Sequence, residues 1–358
     1  MPSDNPLTLQ LADLALFVAS LFIWAITIRR LRIGREVARY EPRRPVPWQG
    51  VDLAFILLSC MLLVGLVSKA TGWLEEPRSK ASGSDPSEVA QQVHHEKPPS
   101  EKEDSQVQPL STRDLTTTLI VELLAAAFAI GWVTYRVRAM PRDLGFGLSH
   151  LRSDLGLGAL AFLAAYLPVM GLQALLKEFI PYDHPLIESL KVRPDALTLA
   201  LTGVSAVLVA PLFEELFFRV LLQGCLEAVE AKRRWLLMNK LGLNAALTPP
   251  QSGDNSPGPA GGAGLQKSHI GATRPIATDA ELVATSGPAA WPIVLTSLLF
   301  GLVHRGQGAA PVPLFILSLF LGYVYQRTHR IWPSLIAHML LNGITMAALW
   351  YLIMNQAK

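Results

Sequence analysis

Long apolar runs separated by polar connections organise this chain. Runs near 11–28, 51–70, 115–135, 155–175 and 334–353 each carry close to the roughly 20 apolar residues that a helix needs to cross a bilayer. Three more are less uniform: 196–213, which continues in more polar form to about 226, then 288–303 and 311–326. The pattern predicts an all-α integral membrane protein of about eight transmembrane helices. In the first run the positive charge follows the apolar residues instead of preceding them, and no small-residue cleavage site appears, so it reads as a retained helix and not a cleaved signal.

Orientation is read from the connections, because Lys and Arg accumulate on the cytoplasmic side. Arg29, Arg30, Arg32, Arg35, Arg39, Arg43 and Arg44 all follow the first run. With the N-terminus outside, the connections 29–50, 136–154, 227–287 and 327–333 place 19 basic residues inside, against 11 on the other side. Both termini are therefore expected to be extracytoplasmic. Trp48, Trp291 and Trp332 then fall at the inner interface, and Trp73 and Trp350 at the outer one. Segment 74–110, rich in Glu, Ser, Pro, Lys and Gln, reads as a disordered outer loop. Segment 249–275, with 5 Pro, 6 Gly and 3 Ser, reads as a flexible inner one.

Composition narrows the function classes. Of 358 residues, 51% are apolar and 16% charged, and mean hydropathy is +0.33, where soluble domains carry about 25% charged residues. The net charge of +3 is too balanced for a nucleic-acid binder. Cys60 and Cys225 both sit in apolar runs and provide neither a disulfide framework nor a cysteine zinc site. Any metal would need His and carboxylates.

An ionisable residue in the membrane costs about 2.5–3.5 kcal/mol on insertion scales and marks a functional site by default. This criterion selects Glu214, Glu215 and Arg219, then His304, then His338 with Asn342. Glu215 and Arg219 are four apart and share a helix face in the favoured order, while Glu214 points elsewhere. His338 and Asn342 also share a face and offer donors to one oxygen, the logic of an oxyanion hole. Each cluster alone has a plainer reading: interfacial charges, helix-to-helix hydrogen bonds, or, for His304, a helix cap. Together they supply a carboxylate and imidazole to activate water, and donors for a tetrahedral intermediate. The set Glu214, His304 and His338 equally offers the donors of a catalytic zinc site with an open position.

On these residues the chain resembles the CPBP intramembrane protease family, also called the CAAX-protease and bacteriocin-processing or Abi family. Its pattern is Glu-Glu-x-x-x-Arg, Phe-x-x-x-His and His-x-x-x-Asn, matched by Glu214, Glu215 and Arg219, by Phe300 and His304, and by His338 and Asn342. The resemblance covers about 155–353. It implies an intramembrane polar cavity open towards the cytoplasm, with cleavage near a polypeptide's C-terminus. It implies also that Glu214 and His304 activate water, that His338 and Asn342 hold the oxyanion, and that Glu215 and Arg219 orient the centre. The family has been called metallopeptidase, and a metal-free glutamate mechanism fits the same roles. The expected domains are an accessory region of three helices, 1–154, and a protease domain, 155–358, carrying a flexible insertion at about 227–287. The expected partners are a polypeptide substrate, membrane-associated or lipidated, and the bilayer, with no nucleic acid. The competing reading is a non-catalytic membrane scaffold or bacteriocin-immunity-like protein.

Overall fold

The computed structural model describes residues 6–71, 111–180, 190, 195–241 and 279–356, so the loops expected at 74–110 and 249–275 lie outside the described residues. Every described element is helical: α1 Pro6–Arg32, α2 Gly50–Thr71, α3 Thr112–Tyr135, the single turn α4 Pro141–Leu144, and α5 Leu151–Leu176. A 45-residue helix follows, α6 Ala196–Lys240, then α7 Asp279–Thr285, α8 Ala290–Val303, α9 Pro311–Thr328 and α10 Ile331–Gln356. All eight expected runs are helices. Six of them, α1, α2, α3, α5, α6 and α10, are long and apolar enough to cross a membrane. By length and composition, six of the expected eight spans are supported among the described residues. With 14 residues α8 spans only about 21 Å at 1.5 Å per residue, short of a hydrocarbon core of about 30 Å.

Local chemistry sets the helix ends. Ser111 accepts the Asp114 N–H while the Asp114 carboxylate accepts the Ser111 N–H, a reciprocal cap that starts α3. Asp195 caps α6 by accepting the N–H groups of Leu197 and Thr198. Pro311 opens α9, where a missing N–H is harmless. His329 closes it in the left-handed region at φ 52°.

Packing relies on close approach, as expected where apolar burial does not drive helices together. At Gly158 of α5 an added Cβ would lie 2.8 Å from the Ile336 side chain and 2.9 Å from the Pro333 carbonyl, so α5 touches α10 nearly backbone to backbone. Gly301 plays the same part between α8 and the start of α9, where a Cβ would sit 2.8 Å from the Pro311 carbonyl. α1 lies against α5, with the Trp24 indole donating to the Ala164 carbonyl at 3.0 Å. α2 meets α3 through a Phe55–Trp132 ring stack at 3.9 Å. Large apolar side chains such as Phe22 and Leu58 point outward on α1 and α2, which is where lipid would take the place of a protein core.

The bundle is tight at one end. There the Arg-rich segment after α1 folds back over the helix ends. Arg43 donates to the Tyr325 hydroxyl at 3.0 Å and to the Asp143 carbonyl at 3.3 Å. Arg44 holds the Asp143 carboxylate at 2.7 Å, and Arg330 bridges Asp154 and Glu41. Burial alone would raise the Asp143 carboxyl, but the Arg44 hydrogen bonds and the Met140 N–H outweigh it and hold the group below the ordinary carboxylate range. Trp48, expected as an interfacial anchor, is instead 1% exposed and donates its indole N–H to the Leu221 carbonyl. The reason is tertiary: the returning segment carries it inward among Ile56, Leu221 and Tyr325.

Candidate active site

Helix α6 carries the first cluster and is not a uniform α-helix. Two stretches, Ser205–Val209 and Glu215–Gln223, have the wider π-helical turn and flank Ala210–Glu214. In the first, the Ala210 N–H reaches back to the Ser205 carbonyl. The next donor in that register belongs to Pro211, which has no N–H. The Ala206 carbonyl is therefore left open, and the Asn342 side-chain amide donates to it at 2.8 Å. A proline on α6 thus creates the acceptor that ties α10 to α6 beside the cluster, satisfying a polar group at membrane depth.

Glu215 and Arg219 are fully buried and form an ion pair, Arg219 Nε to Glu215 Oε2, at 3.3 Å. Nε and Oε2 do not align as a hydrogen bond, so the attraction is chiefly Coulombic. Of the Arg219 nitrogens, Nη2 donates to the Ser318 hydroxyl on α9 at 2.7 Å, and the guanidinium carbon lies 5.6 Å from the centre of the Phe300 ring. On the other side of the pair, His338 Nδ1 lies 3.1 Å from Glu215 Oε1.

Glu214 is more open, with 21% of its side chain exposed against none for Glu215. Its two oxygens face different imidazoles: Oε1 is 3.5 Å from His304 Nε2, and Oε2 is 3.6 Å from His338 Nε2. His304 is the residue that ends α8, its backbone N–H donating to the Gly301 carbonyl, while its ring donates from Nδ1 to the Phe300 carbonyl at 2.7 Å. That bond fixes the tautomer of the neutral ring and turns Nε2 towards Glu214. Phe300, fully buried, packs against both imidazoles, with centroids at 4.9 Å and 5.9 Å.

The structure therefore brings Glu214, Glu215, Arg219, His304 and His338 into one contact network. Asn342 lies one turn from His338, with one amide N–H committed to Ala206 and a second N–H left over. The shortness of α8 sets how His304 reaches the cluster: the helix ends at Val303 and the turn 304–310 leads back into α9.

The zinc set considered from the sequence does not fit as arranged. Each Glu214 oxygen faces its own imidazole, and among the described residues no three His, Cys, Asp or Glu side chains converge on one point.

Two contributors escaped the sequence reading. Ser318, a lone hydroxyl in α9, carried no signal. Glu122 did: it is an acidic residue in the apolar run of α3, the feature that selected Glu214. Its Oε2 is buried without a hydrogen-bond partner, and α3 packs against the part of α6 that carries Glu214. An accessory helix therefore adds a third carboxylate to the neighbourhood of the site.

Residues 276–344 match the family model described as Type II CAAX prenyl endopeptidase Rce1-like. This is a protease family, and the match supports the resemblance read from the motifs. It spans His304, His338 and Asn342, and leaves Glu214, Glu215 and Arg219 outside. No curated protein and no solved structure matches the chain.

Proposed function

We propose that the protein is a multi-pass intramembrane endopeptidase of CAAX-protease type that hydrolyses a peptide bond with a glutamate-activated water. The observation that carries this reading is Glu214, a partly exposed carboxylate held between the Nε2 atoms of two histidines from different helices. Glu214 takes a proton from a water hydrogen-bonded to it and to His304, and the hydroxide adds to the scissile carbonyl. The oxygen of the tetrahedral intermediate accepts from the second amide N–H of Asn342 and from His338 Nε2, which donates when the ring carries a proton on both nitrogens, the Nδ1–H being held by Glu215. Glu214 then passes its proton to the departing amine. Glu215 and Arg219 are positioning residues: Glu215 holds the His338 ring at Nδ1, and Arg219 compensates the Glu215 charge.

The substrate is a polypeptide, membrane-associated or lipidated, and the bilayer is the working environment. The excess of basic residues on one set of connections favours extracytoplasmic N- and C-termini. Incubating the purified protein with a proteome-derived peptide library tests the activity. Cleavage by wild type and none by Glu214→Gln is expected; equal product from both would discard the mechanism.

A further inference from the structure

The polar side chains of α6 do not stop at Arg219. Glu215, Arg219, Gln223 and Glu227 follow one another at four-residue intervals and so share a face of the helix. The first three have no exposed surface. Arg219 Nε faces Glu215 Oε2 at 3.3 Å, Gln223 Nε2 donates to Glu227 Oε1 at 3.0 Å, and Glu227 Oε2 lies 3.2 Å from His329 Nε2. Arg43 of the segment that returns after α1 lies 3.9 Å from the same oxygen. The row therefore leads from the site to the tight end of the bundle, and the step from Arg219 to Gln223 has no direct hydrogen bond.

At that step a donor and an acceptor stand unpaired. Gln223 spends Nε2 on two acceptors, the Glu227 carboxylate and the Gly322 carbonyl at 2.9 Å, which fixes the orientation of its amide. Its Oε1 is buried with no partner, and so is Nη1 of Arg219. Both border one place on α9: a Cβ added to Gly322 would lie 3.0 Å from Gln223 Oε1 and 3.6 Å from Arg219 Nη1. The same Cβ would lie 2.9 Å from Cγ2 of Ile293 on α8. One turn further along α8, the Ser297 hydroxyl is also buried without a partner. Buried polar groups gathered in this way are what an internal water satisfies, with two to four partners at once.

We propose that Gln223 is a positioning residue of the active site, its Oε1 accepting from Arg219 Nη1 through one bridging water and so fixing the guanidinium that compensates Glu215. The inference rests on the protease reading and deepens it. Arg219 is then held on both sides, by Ser318 at Nη2 and by Gln223 at Nη1. A guanidinium free to turn would release Glu215, and with it the His338 ring that Glu215 holds at Nδ1. The plainer role for Gln223 is to join α6 to α9. The two roles use different atoms: Nε2 joins the helices, and Oε1 positions Arg219. Substitution can therefore separate them.

Gln223→Met removes both polar atoms at nearly constant shape, whereas Gln223→Glu keeps an acceptor facing Arg219 and loses the donors. On a peptide that the purified protein cleaves, Gln223→Met is expected to lower kcat about 10- to 100-fold with KM unchanged, the scale on which misplaced catalytic groups act. Gln223→Glu should bring kcat back towards wild type. Gln223→Met with wild-type kcat, or Gln223→Glu as slow as Gln223→Met, overturns the inference. Should Gln223→Met fold poorly, Gly322→Ala combined with Ile293→Ala places a methyl group between the intact Gln223 and Arg219. It should show the same loss relative to Ile293→Ala alone, and equal kcat would reject the proposal. A cycle of Arg219→Met, Gln223→Met and the double variant, followed by chemical unfolding in detergent, needs no turnover. The double variant should lose less stability than the two singles together, and additive losses count against the contact. If Glu214→Gln cleaves like wild type, the protease mechanism fails and the unfolding cycle still decides the contact. If Glu214→Gln is inactive and Gln223→Met unimpaired, this inference alone fails.

Discussion

His338 Nδ1 lies 3.1 Å from Oε1 of Glu215, a carboxylate with no exposed surface, which turns the opposite nitrogen of the ring towards Glu214. The two adjacent glutamates thus stand at opposite sides of one imidazole. The buried one fixes the ring, and the partly exposed one also faces His304.

This asymmetry predicts a separation of effects. Glu214→Gln should abolish turnover and leave thermal stability close to wild type, because the amide is isosteric and the Glu215–Arg219 pair survives. Activity and melting temperature measured on the same preparation check it; substantial residual cleavage counts against Glu214 as the base.

Arg219→Ala should lower both stability and activity. It strands a fully buried carboxylate, at a typical cost of about 3–5 kcal/mol. Chemical unfolding in detergent measures the loss, and a variant as stable as wild type would contradict the role assigned to the pair.

At Gly158 the bundle has no room for a methyl group, since the added carbon meets both a side chain and the Pro333 carbonyl below 3 Å. Gly158→Ala should push α5 from α10 and cost about 1–3 kcal/mol. Gly156, two residues away, has nothing within 4 Å, and Gly156→Ala is the control expected to fold normally.

The Asp143–Arg44 contact sets an acid limit on the closed end. The folded-state carboxyl titrates below its unfolded value, so its stabilisation is complete at pH above about 4 and is lost as pH falls through the lower folded value. Asp143→Asn should therefore be less stable than wild type at neutral pH, by about 1–3 kcal/mol for a charged hydrogen bond removed. The gap should close in strong acid. A gap that persisted unchanged there would show that the charge is not its source.

Chelation offers a further check on the chemistry. With no convergent ligand set among the described residues, activity should survive prolonged treatment with 1,10-phenanthroline. Loss of activity that is restored by added Zn²⁺ would return the Glu214, His304 and His338 set to the role of metal ligands.

Much of this protein is written in short-range pattern. Apolar runs of sufficient length become helices whatever surrounds them, because a backbone in lipid must satisfy its own hydrogen bonds. The cost of an intramembrane charge made Glu214, Glu215, Arg219, His304 and His338 visible one by one, and the four-residue spacing paired Glu215 with Arg219. Tertiary structure decided what spacing does not carry. It stopped α8 after 14 residues, so that a helix-ending histidine faces a glutamate on another helix. It drew Trp48 from an expected interface into the floor of the bundle, and packed the accessory helix that carries Glu122 against the Glu214 segment of α6. It gave the carbonyl freed by Pro211 to Asn342, 136 positions away in the chain. Helix propensity and membrane cost act on each segment alone, whereas the partner of a buried polar group is set by which helices meet and at what depth.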